Sequence, residues 1–185
     1  MTEFRCQMTS PERIFRIFLV LCVLSAVLPI NPASAKWTSV SARSAIFSNS
    51  TAGVRYYGKN VSQRVPPAST TKVMTALLVL ENLSLDQVVK VNHSIHVQPT
   101  NINLRAGEQF TVRDLLFALL MKSANDASIV LAEAVSGSES QFVALMNQRS
   151  RELGCQNTRF ANSNGLPTRR GTQYTSAYDM YLIFR

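Results

Sequence analysis

Residues 66–81 read Pro-Pro-Ala-Ser-Thr-Thr-Lys-Val-Met-Thr-Ala-Leu-Leu-Val-Leu-Glu. Pro66 and Pro67 stop regular structure ahead of them, and the apolar run behind them predicts a helix from about Ser69 to about Asn82. Val73, Met74, Ala76, Leu77, Leu78, Val79 and Leu80 cover most of its circumference. A helix apolar all round is a buried helix, so this one is expected to cross the centre of the domain. Its head carries Ser69 and, three residues on, Lys72, which places both on one face of the first turn. Two readings compete. Serine is a preferred N-cap, and a Ser-x-x-Lys arises by chance on the order of once in a chain this long. Yet a lysine in the first turn opposes the helix dipole and sits beside a buried face. Burial and that dipole would lower its pKa. A lysine so tuned can take the proton of a serine hydroxyl, and free helix N–H groups can help hold an oxyanion.

The elements on either side are marked by local signals. "SAIFSN" (44–49) and "VRYY" (54–57) are two short candidate strands, and Gly53 between them suits a hairpin turn. Residues 84–110 read as strand and loop, with Gly107 at a turn. Thr111 and Asp114 have capping-box spacing ahead of "LLFALLM", which predicts a helix stopping near Lys122-Ser123. Further helices are expected over about 126–136, ending before Gly137, and over about 139–153, ending at Gly154. "NSNGLPTRRG" reads as a loop and "SAYDMYLIFR" as the start of one more helix. No internal repeat or low-complexity segment interrupts the pattern.

A second polar corner lies in "MKSANDAS", residues 121–128. Ser123 and Asn125 fall in the link between two expected helices, where a rigid corner can aim side chains into a cleft. Ser123 and Asp126 also fit a capping box, so this piece alone reads either way.

The first 35 residues have the form of an export signal: Arg5, Arg13 and Arg16, an apolar stretch from Ile17 to Leu28, and Ala33-Ser34-Ala35 before Lys36. The apolar stretch is short for a membrane span of about 20 residues; an uncleaved anchor is the alternative. Cleavage would remove Cys6 and Cys22 and leave Cys155 alone, which excludes an internal disulfide. Residues 36–185 would then hold together through a core, and are long enough to bury one. Of the whole chain 46% is hydrophobic and 16% charged, as in a folded globular protein. The net charge of +8 favours anionic partners. The basic residues are scattered and no nucleic-acid motif occurs, so a nucleic-acid partner is not expected, whereas association with a membrane surface stays open. His93 and His96 are the only histidines, and two such ligands do not make a structural zinc site. No metal or cofactor is expected, and Cys155 reads as a small packing residue.

A Ser-x-x-Lys heading a buried helix, a Ser-x-Asn corner 54 residues later and an export signal together resemble the signature of penicillin-binding proteins and class A β-lactamases. From about Ala45 onward the chain is similar to the D-alanyl-D-alanine carboxypeptidases, the low-molecular-mass penicillin-binding proteins. The likeness includes "GKN" at 58–60, "PPASTTKVMTALLVLEN", "LRAGEQFTVRDLLFALLMKSANDAS", "VLAEAVSG" at 130–137, "FVALMN", "ELGCQNTRFANSNGLP" and "TSAYDM". It implies an α/β (α+β) fold of the β-lactamase/transpeptidase type: an antiparallel sheet flanked by helices, with a helical lobe carrying Ser123 and Asn125.

It also implies roles. Ser69 would be the acylated nucleophile, Lys72 its proton acceptor, Ser123 a relay towards the leaving amine, and Asn125 a holder of the substrate amide and of Lys72. The reaction would cleave the terminal D-Ala-D-Ala bond of peptidoglycan stem peptides through an acyl-enzyme, outside the cytoplasm and at the cell wall. β-Lactams would acylate the same serine. Asn49 and Gln173 depart from the aspartate and histidine usual in the family. No Lys-Thr-Gly, the family's third motif, occurs in the 185 residues. The implied domain, 36–185, is therefore expected to be incomplete at its C-terminal side, with an unpaired sheet edge and exposed apolar surface. A β-lactamase of the same fold and an inactive truncated relic are the alternatives.

Overall fold

The computed structural model describes residues 40–169 and 172–185. The expected signal segment, residues 1–35, lies outside them, as do Arg170 and Gly171 of the expected loop.

Strands β1 (Ala45–Asn49) and β2 (Val54–Lys59) form the expected antiparallel hairpin. Its turn is built by Asn49, whose Oδ1 accepts from the backbone N–H groups of Thr51 and Ala52, both at 2.9 Å. An amide oxygen does there what a carboxylate oxygen would, which explains why asparagine is accommodated at this position. Gly53 completes the turn at φ +66°, a backbone conformation that favours glycine.

The central helix differs from expectation at its head. A 3-10 turn, Ala68–Thr70, precedes helix α1, Thr71–Asn82. Ala68 adopts φ +46°, and a left-handed residue cannot join a right-handed helix. No right-handed helix extends back through Ala68, and the α-helix proper begins at Thr71, after the 3-10 turn. Neither Pro67 nor Thr70 caps with a side chain, so Ser69 is not an N-cap.

Strands β3 (Val88–Lys90) and β4 (Gln109–Thr111) make a second two-stranded antiparallel ladder, separate from the first. β4 runs directly into α2 (Val112–Met121), where Thr111 Oγ1 accepts from Asp114 N at 3.1 Å, as the spacing predicts. Helix α3 (Asn125–Ser136) ends at Gly137, with φ +77°. Its start corrects the capping-box reading of Ser123 and Asp126: the N-cap is Ala124, with no side-chain cap. The buried Asp126 carboxylate instead accepts from the backbone N–H groups of Ile102 and Leu104 at 3.0–3.1 Å, pinning the long connection between β3 and β4. Helix α4 (Glu139–Glu152) and helix α5 (Ala177–Phe184) start at Ser138 and Ser176, each of which caps with its hydroxyl. Asp179 caps nothing with its carboxylate. It is buried and accepts from Asn157 N at 2.6 Å and Thr158 Oγ1 at 2.7 Å.

Helix α1 divides the core. Ala76 and Val79 pack with Val89, Val91, Leu115, Leu119 and Leu131 on one side. Met74 and Leu78 pack with Phe142, Met146, Phe160 and Ile183 on the other. Each fully buried leucine or methionine contributes about 1.5–3 kcal/mol, so α1 is fixed from two directions. Phe142 and Met146 are one turn apart on α4, and both are fully buried, as expected for positions i and i+4. Cys155 lies in the second cluster, buried as expected of a packing residue. A short antiparallel bridge, Val65 to Thr175, ties the approach to the 3-10 turn to the approach to α5.

Phe47 and Tyr56 on the hairpin and Phe117, Leu120 and Met121 on α2 are each at least half exposed. Among the described residues no helix is long and apolar enough to cross a membrane.

Candidate active site

Ser69 and Lys72 are neighbours that differ in exposure. Ser69, in the middle of the 3-10 turn, is exposed. Lys72, one turn on in α1, is 3% exposed. Its Nζ is 3.4 Å from Ser69 Oγ, 2.6 Å from Asn125 Oδ1 and 3.2 Å from the backbone carbonyl oxygen of Asn164. An ammonium has three donors and no acceptor, and all three donors here point at oxygens. Because a lysine only donates in that state, the Asn125 amide must face it with oxygen, leaving the Asn125 NH₂ directed elsewhere. Burial lowers the Lys72 pKa from 10.5 to about 8 by disfavouring the charged form.

The Ser-x-Asn corner arrives at the same point. Asn125 opens α3 and is buried. Ser123, partly buried, holds φ +56°, a strained setting for a residue with a side chain. No hydrogen bond among the described residues joins Ser123 to Ser69 or Lys72. The structure thus brings three of the four candidate residues into direct contact and sets Ser123 two residues from the third.

Sequence reasoning missed the loop that closes the site. Residues 161–165, Ala-Asn-Ser-Asn-Gly, are buried although most are polar. Their backbone groups explain this. The Asn164 carbonyl meets Lys72, and the Ser163 carbonyl accepts from Thr75 Oγ1 at 2.7 Å. Gly165 passes so close to the 3-10 turn that a Cβ there would lie 1.7 Å from the Ala68 carbonyl oxygen, and its φ is +86°. The loop is held by Asn162 Oδ1, which accepts from Gly165 N at 2.7 Å, and by Gln173 Nε2, which donates to Leu166 O at 2.6 Å. Gln173 thereby has a structural task in this loop. Of these signals only Gly165, followed by Leu166 and Pro167, stands out in a sequence.

A cleft of about 550 Å³ opens beside this junction, lined by Pro66, Pro67, Ala68, Gly165, Pro167, Thr168, Arg169, Thr172 and Gln173. His93 lies elsewhere, paired with Glu133 at 2.8 Å on an exposed surface. Among the described residues no group of three or more histidine, cysteine, aspartate or glutamate side chains is arranged to hold a metal ion.

This arrangement has an exposed hydroxyl, a buried amine of lowered pKa beside it, and two fixed oxygens on the far side of that amine. It can take a proton from the hydroxyl and so support acyl transfer.

The family model described as D-alanyl-D-alanine carboxypeptidase matches residues 31–185. D-alanyl-D-alanine carboxypeptidase DacF of Bacillus subtilis is 41% identical over 148 residues, 77% of this chain and 38% of that protein. Among solved structures, the D-alanyl-D-alanine carboxypeptidase DacD of Francisella tularensis superposes with a TM-score of 0.74 at 35% identity. The match covers 80% of this chain and 37% of that one. Penicillin-binding protein D2 of Listeria monocytogenes, solved in its ampicillin-bound form, superposes with a TM-score of 0.69 at 29% identity, over 78% of this chain and 60% of that one. The chain thus spans about two fifths of the length of the first two.

Proposed function

The chain belongs to the D-alanyl-D-alanine carboxypeptidase family, and from that premise we propose that the protein is a serine-type D-Ala-D-Ala carboxypeptidase of peptidoglycan metabolism, acylated at Ser69. The observation that carries this reading is the contact set of Lys72. Protonated, it donates to Ser69, Asn125 and Asn164. After losing one proton it keeps two N–H groups on Asn125 Oδ1 and the Asn164 carbonyl, the two shorter contacts. Its lone pair then faces the third position, Ser69 Oγ. The 3.4 Å separation is long for a hydrogen bond, and such contacts tighten when substrate arrives.

In this mechanism Ser69 Oγ attacks the carbonyl carbon of the D-Ala-D-Ala peptide bond while its proton passes to Lys72. The tetrahedral intermediate collapses as the C–N bond breaks, and the leaving amine takes a proton through Ser123. D-Alanine departs and an ester remains on Ser69. Water then attacks the ester, returns the proton and frees the serine. Asn125, with its oxygen committed to Lys72, offers its NH₂ to the substrate amide oxygen. β-Lactams enter as substrates of the first half-reaction only, because their amide nitrogen stays tethered. The family match favours the peptidase over a β-lactamase. The 185 residues contain Ser-x-x-Lys and Ser-x-Asn and no Lys-Thr-Gly, so the reading concerns the nucleophile side of the site.

The reading extends to place and partners. An export signal over residues 1–35 would deliver residues 36–185 to the periplasm or cell wall, where stem peptides are found. The net charge of +8 suits an anionic wall or membrane surface.

The test is covalent labelling of the whole protein with a fluorescent penicillin, with the modified peptide mapped by mass spectrometry. Label should sit on Ser69, and Ser69→Ala should remove it. Label that persists in Ser69→Ala overturns the assignment. Release of D-alanine from a synthetic pentapeptide separates a peptidase from a penicillin-binding relic.

A further inference from the structure

One of the two oxygens that orient Lys72 belongs to a backbone carbonyl, which no side-chain substitution at Asn164 can remove. The peptide of that carbonyl is held by Asn162 Oδ1, which accepts from Gly165 N at 2.7 Å, and the residue before it, Ser163, is held as well. Ser163 is fully buried and is gripped on its N-terminal side by a residue from a different helix. Glu139 Oε1 accepts from Ser163 Oγ at 2.9 Å and from Ser163 N at 3.2 Å. Glu139 is the first residue of α4, 24 residues earlier in the chain. On the other side of Ser163, its carbonyl accepts from Thr75 in α1.

The proton count makes the carboxylate the anchor. Ser128 Oγ gives its proton to the Asn125 carbonyl at 2.6 Å. Ser163 Oγ lies 3.2 Å from Ser128 Oγ and 2.9 Å from Glu139 Oε1. One hydroxyl has one proton, and the carboxylate is the nearer and stronger acceptor. Ser163 thus donates to Glu139 and rests against Ser128. Without the carboxylate, the hydroxyl would turn to Ser128, and the buried Ser163 N–H would lose its acceptor. The peptide carrying the Asn164 carbonyl lies one unit further on, past the Ser163 carbonyl that Thr75 holds.

We propose that Glu139 is a positioning residue for acylation: by holding Ser163 through two hydrogen bonds, it fixes the Asn164 carbonyl against Lys72 and so aims the lysine at Ser69. The proposal rests on the reading of Lys72 as base to Ser69. Glu139 touches neither the substrate nor the reacting atoms, and acts through the loop. Its carboxylate serves as a double acceptor, a task that the Oε1 of a glutamine at the same place can also perform.

The experiment uses the whole protein and measures acylation by a fluorescent penicillin at varied concentration, which separates the dissociation constant from the first-order acylation constant. Displacing a catalytic group by about 1 Å costs on the order of 100-fold. Glu139→Ala should therefore lower the acylation constant by about tenfold to 100-fold while the dissociation constant stays within about twofold. Glu139→Gln should recover most of that loss. An unchanged acylation constant in Glu139→Ala overturns the proposal. So does a loss that Glu139→Gln does not restore, because the acceptor geometry is then not what matters. If Glu139→Ala does not fold, as judged by circular dichroism, Ser163→Ala decides. It keeps the backbone bond to Glu139 and loses the hydroxyl bond, and should lower the acylation constant about threefold to tenfold; no change there overturns the proposal. Failure of the wild type to label at Ser69 is a different outcome, and sinks the function reading on which this one stands.

Discussion

Lys72 Nζ and Asn125 Oδ1 are 2.6 Å apart, the shortest of the three contacts the lysine makes. The pair joins residues 53 positions apart and lies in a buried setting. Its chemistry can be changed with almost no change in shape, because aspartate has the outline of asparagine.

With a Lys72 pKa of about 8, the acylation rate should rise with pH and level off above that value, since only the neutral amine accepts a proton. Asn125→Asp places a negative charge against the ammonium and favours the charged form. The inflection should move to higher pH and the rate near pH 7 should fall by about tenfold or more. A pH–rate profile of penicillin acylation for both proteins checks this. An inflection that stays put, or moves down, would show that Lys72 is not the group titrating.

Stability carries the same signature. The unfolded lysine titrates at 10.5 and the folded one at about 8. Between these values the unfolded chain binds more protons, so stability rises with pH there. Below pH 8 both states are protonated and the cost of burying the charge is present in full. Relative to Lys72→Met, which has no such group, the wild type should gain on the order of 3 kcal/mol between pH 7 and pH 10.5. Denaturant unfolding of both proteins at the two pH values measures it. A difference that does not change with pH contradicts the buried-ammonium picture.

Gly165→Ala should be severe. The new methyl group would collide with the Ala68 carbonyl, a backbone atom that cannot rotate aside, and φ is +86°. A loss of about 2–4 kcal/mol is expected, or a shift of the 3-10 turn that slows acylation at Ser69. Gly53→Ala is the control: φ is also positive but nothing lies within 4 Å of the added atom. It should cost only about 1 kcal/mol. Equal effects on thermal unfolding would mean that backbone conformation, and not the close approach, decides.

Cys155 should be nearly inert while the protein is folded. Burial, with the nearby Asp179 charge adding to it, pushes its pKa from 9.0 to about 11. At pH 8 the reactive thiolate is then about 100-fold scarcer than in the unfolded chain. Alkylation followed at the Cys155 peptide should be slow in buffer and fast in denaturant. Rapid alkylation in buffer would place the thiol at the surface.

How much of this could be read from the residues follows from how far each signal reaches. The hairpin, α2, α3 and α4 were legible because their markers are local: Gly53 at a turn, Thr111 three residues before Asp114, Gly137 and Gly154 past helix ends. Ser69, Lys72, Ser123 and Asn125 stood out through type and spacing, and the structure joins the first two to Asn125. The same local rules failed where tertiary partners compete. Ser69 and Asp126 look like caps by spacing, yet Ala68 turns left-handed under Gly165, and the Asp126 carboxylate is taken by Ile102 and Leu104. The Asn164 carbonyl left no trace, since every residue has one, and its role comes only from where the chain returns. The Glu139–Ser163 clasp is hidden for the same reason.

That return has a consequence for timing. The amine beside Ser69 owes its lowered pKa to burial, and one of its fixed acceptors arrives from 92 residues downstream. A chain still being made or carried unfolded has the serine and the lysine side by side, but with an ordinary, protonated lysine. Its hydroxyl is then no more reactive than free serine. On the acylation mechanism proposed above, Ser69 becomes reactive only once the 161–165 loop docks against α1, so a covalent label on Ser69 would count folded molecules and leave unfolded chains unmarked.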